Sequence, residues 1–407
     1  MGAKKRFKIK QLFFACIFLL LCMHSINSQD KPYVVMLSLD GFRWDYADKA
    51  STPNLDRIAE NGVKLTSLKP SFPTKTFPNH YTIVTGLYPD NHGIVANKFY
   101  DPDIDRHYKV SDRKAVRDGS FYGGEPVWVT AEKQGMRSAS YFWIGSEADV
   151  NGIYPSYWKT YDHHFPFTQT IDSVVYWLQL PEEQRPHLVL FYNPEPDGVG
   201  HQYGPDSKEV KDMIVLLDSL VGVAYDKITA LPIADQVNFI IVSDHGMTEI
   251  QNKHVINLSD HIHEKWFEHI EGSSPVFSFT PKEKYRDVAF KALQEIEHAR
   301  VWQTKNIPEE LHYGTNPRTL EWILLADSGR YINQKKIFPV PEGDHGYDND
   351  FKDMHGIFYA AGPAFKKNYI SSCFENTEIY NLICYILNLE PASNDGDIEK
   401  IKDILNQ

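Results

Sequence analysis

Cysteine is scarce: the 407 residues hold four, Cys16, Cys22, Cys373 and Cys384. So few exclude the disulfide-dense scaffold on which many small exported domains rely. Positive charge is also short, with 42 Lys and Arg against 54 Asp and Glu and a formal charge of −12. Non-specific binding to a nucleic-acid duplex calls for a basic face, so this balance argues against it. It also means that an anionic substrate must be drawn in locally, by bound cations, and not by the overall field. Internal repeats, low-complexity tracts and Gly/Ser-rich hinges are missing too. A solenoid or a freely swinging domain is thereby disfavoured.

What is present starts with a basic N-terminus: Lys4, Lys5, Arg6, Lys8 and Lys10, then an uncharged run from Leu12 to Met23, then "SINSQ". The run is about half of the roughly 20 apolar residues that a membrane span needs. The pattern is that of a secretory signal peptide over residues 1–28, cleaved after Ser28, which implies a secreted or periplasmic protein. An uncleaved anchor is the competing reading, and its short length counts against it; a lipid-attached Cys16 or Cys22 lacks the right context. Those 28 residues carry five Lys/Arg and no Asp/Glu, so cleavage takes the formal charge from −12 to −17. Of the cysteines, Cys373 and Cys384 would remain, paired or as free thiols.

Residues 29–407 show ordinary globular composition, 42% apolar and 24% charged, enough for one large domain with an insertion, or two. Short β-rich runs recur at 33–39, 187–192, 237–243 and 356–362, separated by amphipathic stretches. "TPNLDRIAENG" opens on a Thr52 cap and Pro53 and stops at Gly62. Ser207 to Leu231 sets Val210, Ile214, Leu217 and Val221 on one stripe. Strands alternating with helices predict an α/β fold, a mostly parallel central sheet covered on both faces. From about 252 to 343 the texture changes to a small α+β insertion, expected to pack on the core.

The first three strand runs each end in an acid: Asp40 in "SLD", Asp197 in "PEPD" and Asp244 in "VSDHG". Ligand sites in open α/β sheets gather at the carboxyl ends of strands. His201 follows Asp197 by four residues, His245 is adjacent to Asp244, and "GDHGYDN" adds Asp344 and His345. Three carboxylates and three imidazoles would make two mixed N/O metal sites, better suited to zinc or another borderline ion than to magnesium or calcium. Singly each piece has a bland reading as helix cap, chance DxxxH or turn; their joint placement is the signal. Spacing alone does not choose between Asp344 and His345, and His355 competes ten residues on. His163, His164, His261 and His263 sit in polar surroundings and are expected at the surface.

The stretch "SFPTKTFPNHYTIVTGLYPDNHGI" places Thr76 between Pro73 and Pro78 at the start of a helical pattern ending at Gly86. A threonine hydroxyl is a poor nucleophile until its proton is loosened. A bound divalent ion does that without a side-chain base, helped by the helix N-terminus. The β-branch restricts χ1 and so aims the oxygen. Thr74, a turn earlier, is the competitor and better suited to bonding within the loop.

These residues resemble the nucleotide pyrophosphatase/phosphodiesterase family of the alkaline phosphatase superfamily. "PTKTFPNHYTIVTGLYPDNHGI", "GGEPVWVTA", "EPDGVGHQYGP", "SDHGM" and "GDHGYDN" occur in family order, and the likeness runs from residue 33 to about 389. The resemblance implies that Thr76 is the nucleophile and becomes transiently phosphorylated. It implies two Zn2+ ions, one held by Asp197, His201 and His345, the other by Asp40, Asp244 and His245 with Thr76 as fourth ligand. It selects His345 over His355. Asn97 would bond a non-bridging phosphate oxygen. Phe77 and Tyr161 would sandwich a nucleobase, with Tyr192 lining the same pocket. Two departures stand out. Pro194 in "NPEPD" replaces an acid common in relatives, and no lysine matches the family's phosphate-contacting one, leaving Lys114 and Arg117 as candidates.

The expected activity is hydrolysis of nucleotide phosphodiester or phosphoanhydride bonds, releasing nucleoside 5′-monophosphates. The enzymatic alternative is a phospholipid or choline-phosphate diesterase, or a phosphomonoesterase, on the same scaffold. A sulfatase is disfavoured because the Cys/Ser-x-Pro-x-Arg motif is missing. A non-catalytic nucleotide-binding protein would explain the pocket but not an intact Thr76 with a full ligand set.

Overall fold

The computed structural model describes residues 31–250, 255–336 and 339–406. The expected signal segment, 1–28, lies outside the described residues.

Eight strands form the central sheet: β1 (Tyr33–Leu39), β2 (Gly62–Leu65), β3 (Ser138–Tyr141), β4 (Tyr157–Lys159), β5 (Leu188–Asn193), β6 (Val237–Val242), β11 (Phe358–Ala361) and β12 (Tyr369–Ser371). Between β6 and β11 the chain makes a separate sheet of β7 (Phe267–Ser273), β8 (Val276–Pro281), β9 (Ala299–Gln303) and β10 (Trp322–Ala326). The central order is β12-β2-β11-β6-β1-β5-β3-β4. All neighbours pair parallel except β11, which runs antiparallel to both β6 and β2. The expected mostly parallel sheet is therefore present, with its 356–362 run as the one reversed strand.

Both faces of this sheet are covered because its strands are apolar on both. On β1, Val34 and Met36 enter one core while Val35, Leu37 and Leu39 enter the other; on β6, Ile240 and Val242 oppose Phe239 and Ile241. Continuous burial of this kind is what a parallel strand needs. One layer holds α2 (Thr76–Thr85), α3 (Val127–Lys133) and α8 (Glu378–Leu387), and the other α1 (Pro53–Glu60), α4 (Phe167–Leu178) and α6 (Lys208–Thr229). On α6 the stripe of Val210, Ile214, Leu217 and Val221 is fully buried, worth roughly 1.5–3 kcal/mol per side chain. Ser207 caps it, accepting from the amide of Val210 at 3.2 Å.

The cap of α1 differs from expectation. Thr52 sits at the N-cap, but its hydroxyl donates to the carbonyl of Ala47, and the carboxylate of Asp218 on α6 accepts from the amides of Asn54 and Leu55 instead. A neighbouring helix thus satisfies the free amides that a local hydroxyl leaves open.

The four-stranded sheet is antiparallel, in the order β7-β8-β10-β9, with α7 (Arg286–Gln294) alongside. On β10, Trp322, Leu324 and Ala326 join the core of this subregion, while Ile323 and Leu325 join the main core. A strand apolar on both faces welds the subregion to the body. Cys373 is exposed and Cys384 buried, and both are free thiols.

Candidate active site

The three central strands bring the acids together. β6, β1 and β5 lie side by side in register, Ser38 opposite Val242 and Leu39 opposite Asn193. Asp40 follows β1, Asp244 follows β6 by one residue, and Asp197 opens α5 (Asp197–Tyr203), which follows β5. The amide of Asp197 donates to the carbonyl of Asp40 at 3.1 Å, which fixes the β5–α5 turn over the end of β1.

Seven residues singled out in the sequence meet here. His245 Nε2 lies 3.4 Å from Asp40 Oδ1 and 3.1 Å from Asp244 Oδ2. Asp197 Oδ1 lies 3.5 Å from His201 Nε2 and 3.6 Å from His345 Nε2. The hydroxyl of Thr76, first residue of α2, donates to His245 Nε2 at 3.2 Å. His355 stays outside, its ring nitrogens facing Ser67 and the carbonyl of Asn349. His163, His164, His261 and His263 are exposed, as expected.

Each cluster histidine donates from Nδ1 to a backbone carbonyl: His201 to Gly343 at 2.7 Å, His245 to Gly246 at 2.8 Å and His345 to Thr74 at 2.8 Å. The neutral ring then carries its lone pair on Nε2, the tautomer and orientation that a metal ligand requires. Burial holds His245 and His345 well below the usual imidazole range, with neighbouring cations and imidazoles adding to it. Both are therefore neutral donors at physiological pH.

The carboxylates show the complementary deficit. Burial first, and then the charge of Asp244, raises Asp40 well above the carboxylate range; burial also raises Asp244 and Asp197. Asp40 Oδ1, Asp197 Oδ1 and Asp244 Oδ2 are buried oxygens without a hydrogen-bond donor. Such atoms are costly unless a cation meets them. Donor atoms of Asp40, Asp244 and His245 lie within 4.8 Å of one another, as do those of Asp197, His245 and His345, and those of His201, Asp344 and His345. The donor set fits two divalent cations with mixed N/O ligation. Asp344, left open against His345 by spacing, stands beside it in the cluster, its Oδ2 buried and without a donor.

The segment before Thr76 is stiff for a visible reason. Thr74 donates its hydroxyl to the carbonyl of Tyr347 and accepts from the amide of Gly346 at 2.9 Å, so it clamps the loop bearing His345. Gly346 is required there: its φ is +113° and a Cβ would lie 2.4 Å from Lys75 Cε. Lys75 itself donates to the carbonyl of His345 and sits 3.4 Å from Asp344 Oδ1. Sequence reading passed over Lys75, although it flanks the threonine. It also missed His80, one helical turn past Thr76, whose Nδ1 donates to the Thr76 carbonyl and lies 3.2 Å from Asp244 Oδ2.

Two cavities flank this centre. One of about 280 Å³ is bordered by Lys75, Asn97, His201, Asp344 and His345. Asn97 accepts the amide of Phe77 on Oδ1 at 3.0 Å, which leaves its Nδ2 donors uncommitted. Lys114 is exposed and Arg117 bonds Glu147 at 3.1 Å, so neither expected phosphate contact borders this cavity; Lys75 does. The other, about 190 Å³, is lined by Phe77, Tyr161 and Tyr192 together with Arg113 and Glu147.

The model of type I phosphodiesterase / nucleotide pyrophosphatase matches residues 34–348. The chain belongs to that family. Among curated members of the phosphodiesterase family it is 35% identical over 389 residues to ectonucleotide pyrophosphatase/phosphodiesterase family member 3 of Rattus norvegicus, covering 92% of this chain and 44% of that protein. It is 35% identical over 400 residues to a venom phosphodiesterase of Naja atra, covering 94% and 48%. The chain spans less than half the length of these relatives. Among solved structures, murine ectonucleotide pyrophosphatase / phosphodiesterase 5, an inactive variant in complex with AMP, superposes with a TM-score of 0.89 at 34% identity, over 92% of this chain and all of that one. These matches place the fold among the alkaline-phosphatase-like phosphodiesterases. No helix among the described residues is long and apolar enough to cross a membrane.

Proposed function

We propose that this phosphodiesterase-family chain is a two-zinc nucleotide pyrophosphatase/phosphodiesterase acting outside the cytoplasm, with Thr76 as nucleophile. The observation that carries the reading is the hydroxyl of Thr76 at a helix N-terminus, 3.2 Å from His245 Nε2, a ring nitrogen clustered with the donor-less buried carboxylates of Asp40, Asp197 and Asp244. Asp40, Asp244 and His245, with Thr76, would hold one ion; Asp197, His201 and His345 would hold the other. Bound there, two divalent ions would lower the pKa of the threonine hydroxyl and neutralise phosphate charge.

The residues of the chain supply the rest. Phe77 and Tyr161 hold the base, and Tyr192 closes that pocket. The free amide hydrogens of Asn97 suit a non-bridging phosphate oxygen. Thr76 Oγ forms a bond to phosphorus as the bond to the leaving alcohol or phosphate breaks. The resulting phosphothreonine ester keeps the nucleoside, and water then cleaves it, restoring Thr76 and releasing a nucleoside 5′-monophosphate. Lys75 anchors the His345 loop to the segment carrying the nucleophile.

The test is hydrolysis of the nitrophenyl ester of thymidine 5′-monophosphate beside nitrophenyl phosphate. The diester is expected to be preferred, with activity lost on chelation and in Thr76→Ala. Activity that survives either change, or a clear preference for the monoester, would reject the reading.

A further inference from the structure

The aromatic slot has a charged end that stacking does not use. Glu147 is buried there, its side chain 6% exposed. Its Oε1 accepts from the amide of Tyr161 at 2.9 Å, and its Oε2 accepts from Arg117 Nε at 3.1 Å and closely from Arg113 Nη2. A carboxylate offers about four acceptor sites, and three are taken. Arg113 has five N–H donors and gives one to Glu147. Its guanidinium carbon lies 6.0 Å from the Tyr161 ring centroid, and the side chain remains 38% exposed. The two charged groups lining the slot thus hold donors in excess and are nearly spent in acceptors.

We infer that Arg113, held in place by Glu147, selects the base by its acceptor edge, so that the enzyme favours nucleotides of oxo bases over those of amino bases. The inference rests on the phosphodiesterase reading above and adds a substrate class to it. A 6-oxopurine presents O6 and N7 side by side, a pair that the planar fork of an arginine matches in two bonds. A 4-oxopyrimidine presents O4. An adenine or cytosine turns an amino donor toward the same guanidinium, and donor facing donor is a desolvation loss on both sides. A cavity of about 190 Å³ lies below the ~300–1,000 Å³ of drug-sized sites and suits one planar ring system, with ribose and phosphate outside. A neutral aromatic slot alone would not discriminate, since every base has a π-face.

The experiment compares kcat/KM for the nitrophenyl esters of guanosine and adenosine 5′-monophosphate in the wild type, Arg113→Met and Arg113→Lys. In parallel, calorimetry measures binding of GMP and AMP to the zinc-loaded Thr76→Ala protein, with and without Arg113→Met. The wild type is expected to prefer guanosine, and Arg113→Met to lower the guanosine-to-adenosine ratio by about tenfold or more, the worth of one lost hydrogen bond to a charged donor. Arg113→Lys keeps the charge without the fork, guards against a folding failure in the methionine variant, and should fall between. Equal or better use of adenosine by the wild type, or a ratio that neither substitution moves, overturns the inference. Should neither ester be hydrolysed while GMP still binds tighter than AMP through Arg113, the catalytic reading falls and this one stands.

Discussion

The hydroxyl of Tyr192 donates to Asp40 Oδ2 at 2.5 Å. The same ring lines the aromatic slot, so one residue on β5 borders both the base pocket and the proposed metal centre. Sequence reasoning gave Tyr192 only the first role. Its second follows from register: β1 and β5 pair so that Ser38 faces Tyr192, and the strand end carrying Asp40 lies beside it.

Tyr192→Phe separates the two roles, because it keeps the ring and removes the hydroxyl. Asp40 loses the donor that orients it. Zinc affinity is expected to fall about tenfold, at the lower end of the effect of groups that orient metal ligands, while KM at saturating zinc changes little. Calorimetric zinc titration alongside steady-state kinetics checks this. A raised KM with unchanged zinc affinity would confine Tyr192 to the base pocket.

Crowded carboxylates make a second prediction. Without cations, Asp40 and Asp244 are buried within reach of one imidazole, and burial raises both. Asp244→Asn removes one of the two charges. The stripped variant is expected to be at least as stable as the stripped wild type, by about 1–3 kcal/mol, yet to gain far less stability from zinc. Denaturant unfolding with zinc and with chelator measures both. A stripped variant weaker than the stripped wild type, with the zinc gain intact, contradicts a cation site at Asp244.

His355 gives a pH prediction away from that centre. Burial first, then the charge of Lys352, pushes its imidazole down from the ordinary 6.5 to about 4. The folded chain holds the neutral ring, so the unfolded chain binds the extra proton between those values. Stability tied to His355 is complete above pH 6.5 and drains as pH falls toward 4, about 3 kcal/mol in all. In chelator, the unfolding free energy of His355→Gln should fall less steeply over that window than that of the wild type. Parallel curves would exclude His355 as a source of the slope.

Strand-end acids were legible in the sequence because Asp40 and Asp244 follow apolar runs within two residues and Asp197 follows after a short turn, and parallel strands put their carboxyl ends on one edge. Spacing could not show that β11 runs backwards, since an apolar run reads alike in both directions. The Asp218 cap on α1 was hidden for a related reason: its acceptor lies 164 residues from Asn54 and joins it only in the fold. Lys75 and His80 went unread because a buried lysine and a helical histidine carry no signature of their own. Their meaning lies in the partners the fold supplies, the carbonyl of His345 for one and Asp244 for the other. The clamp of Thr74 on the His345 loop, 271 residues away, is of the same kind.

Acid quenching of the zinc-loaded enzyme during turnover, followed by peptide mass mapping, tests the role of Thr76 most directly. A nucleoside phosphoryl group on Thr76, missing from chelator-treated protein, is the predicted result. Turnover with Thr76 unmodified and the label on another side chain would contradict it.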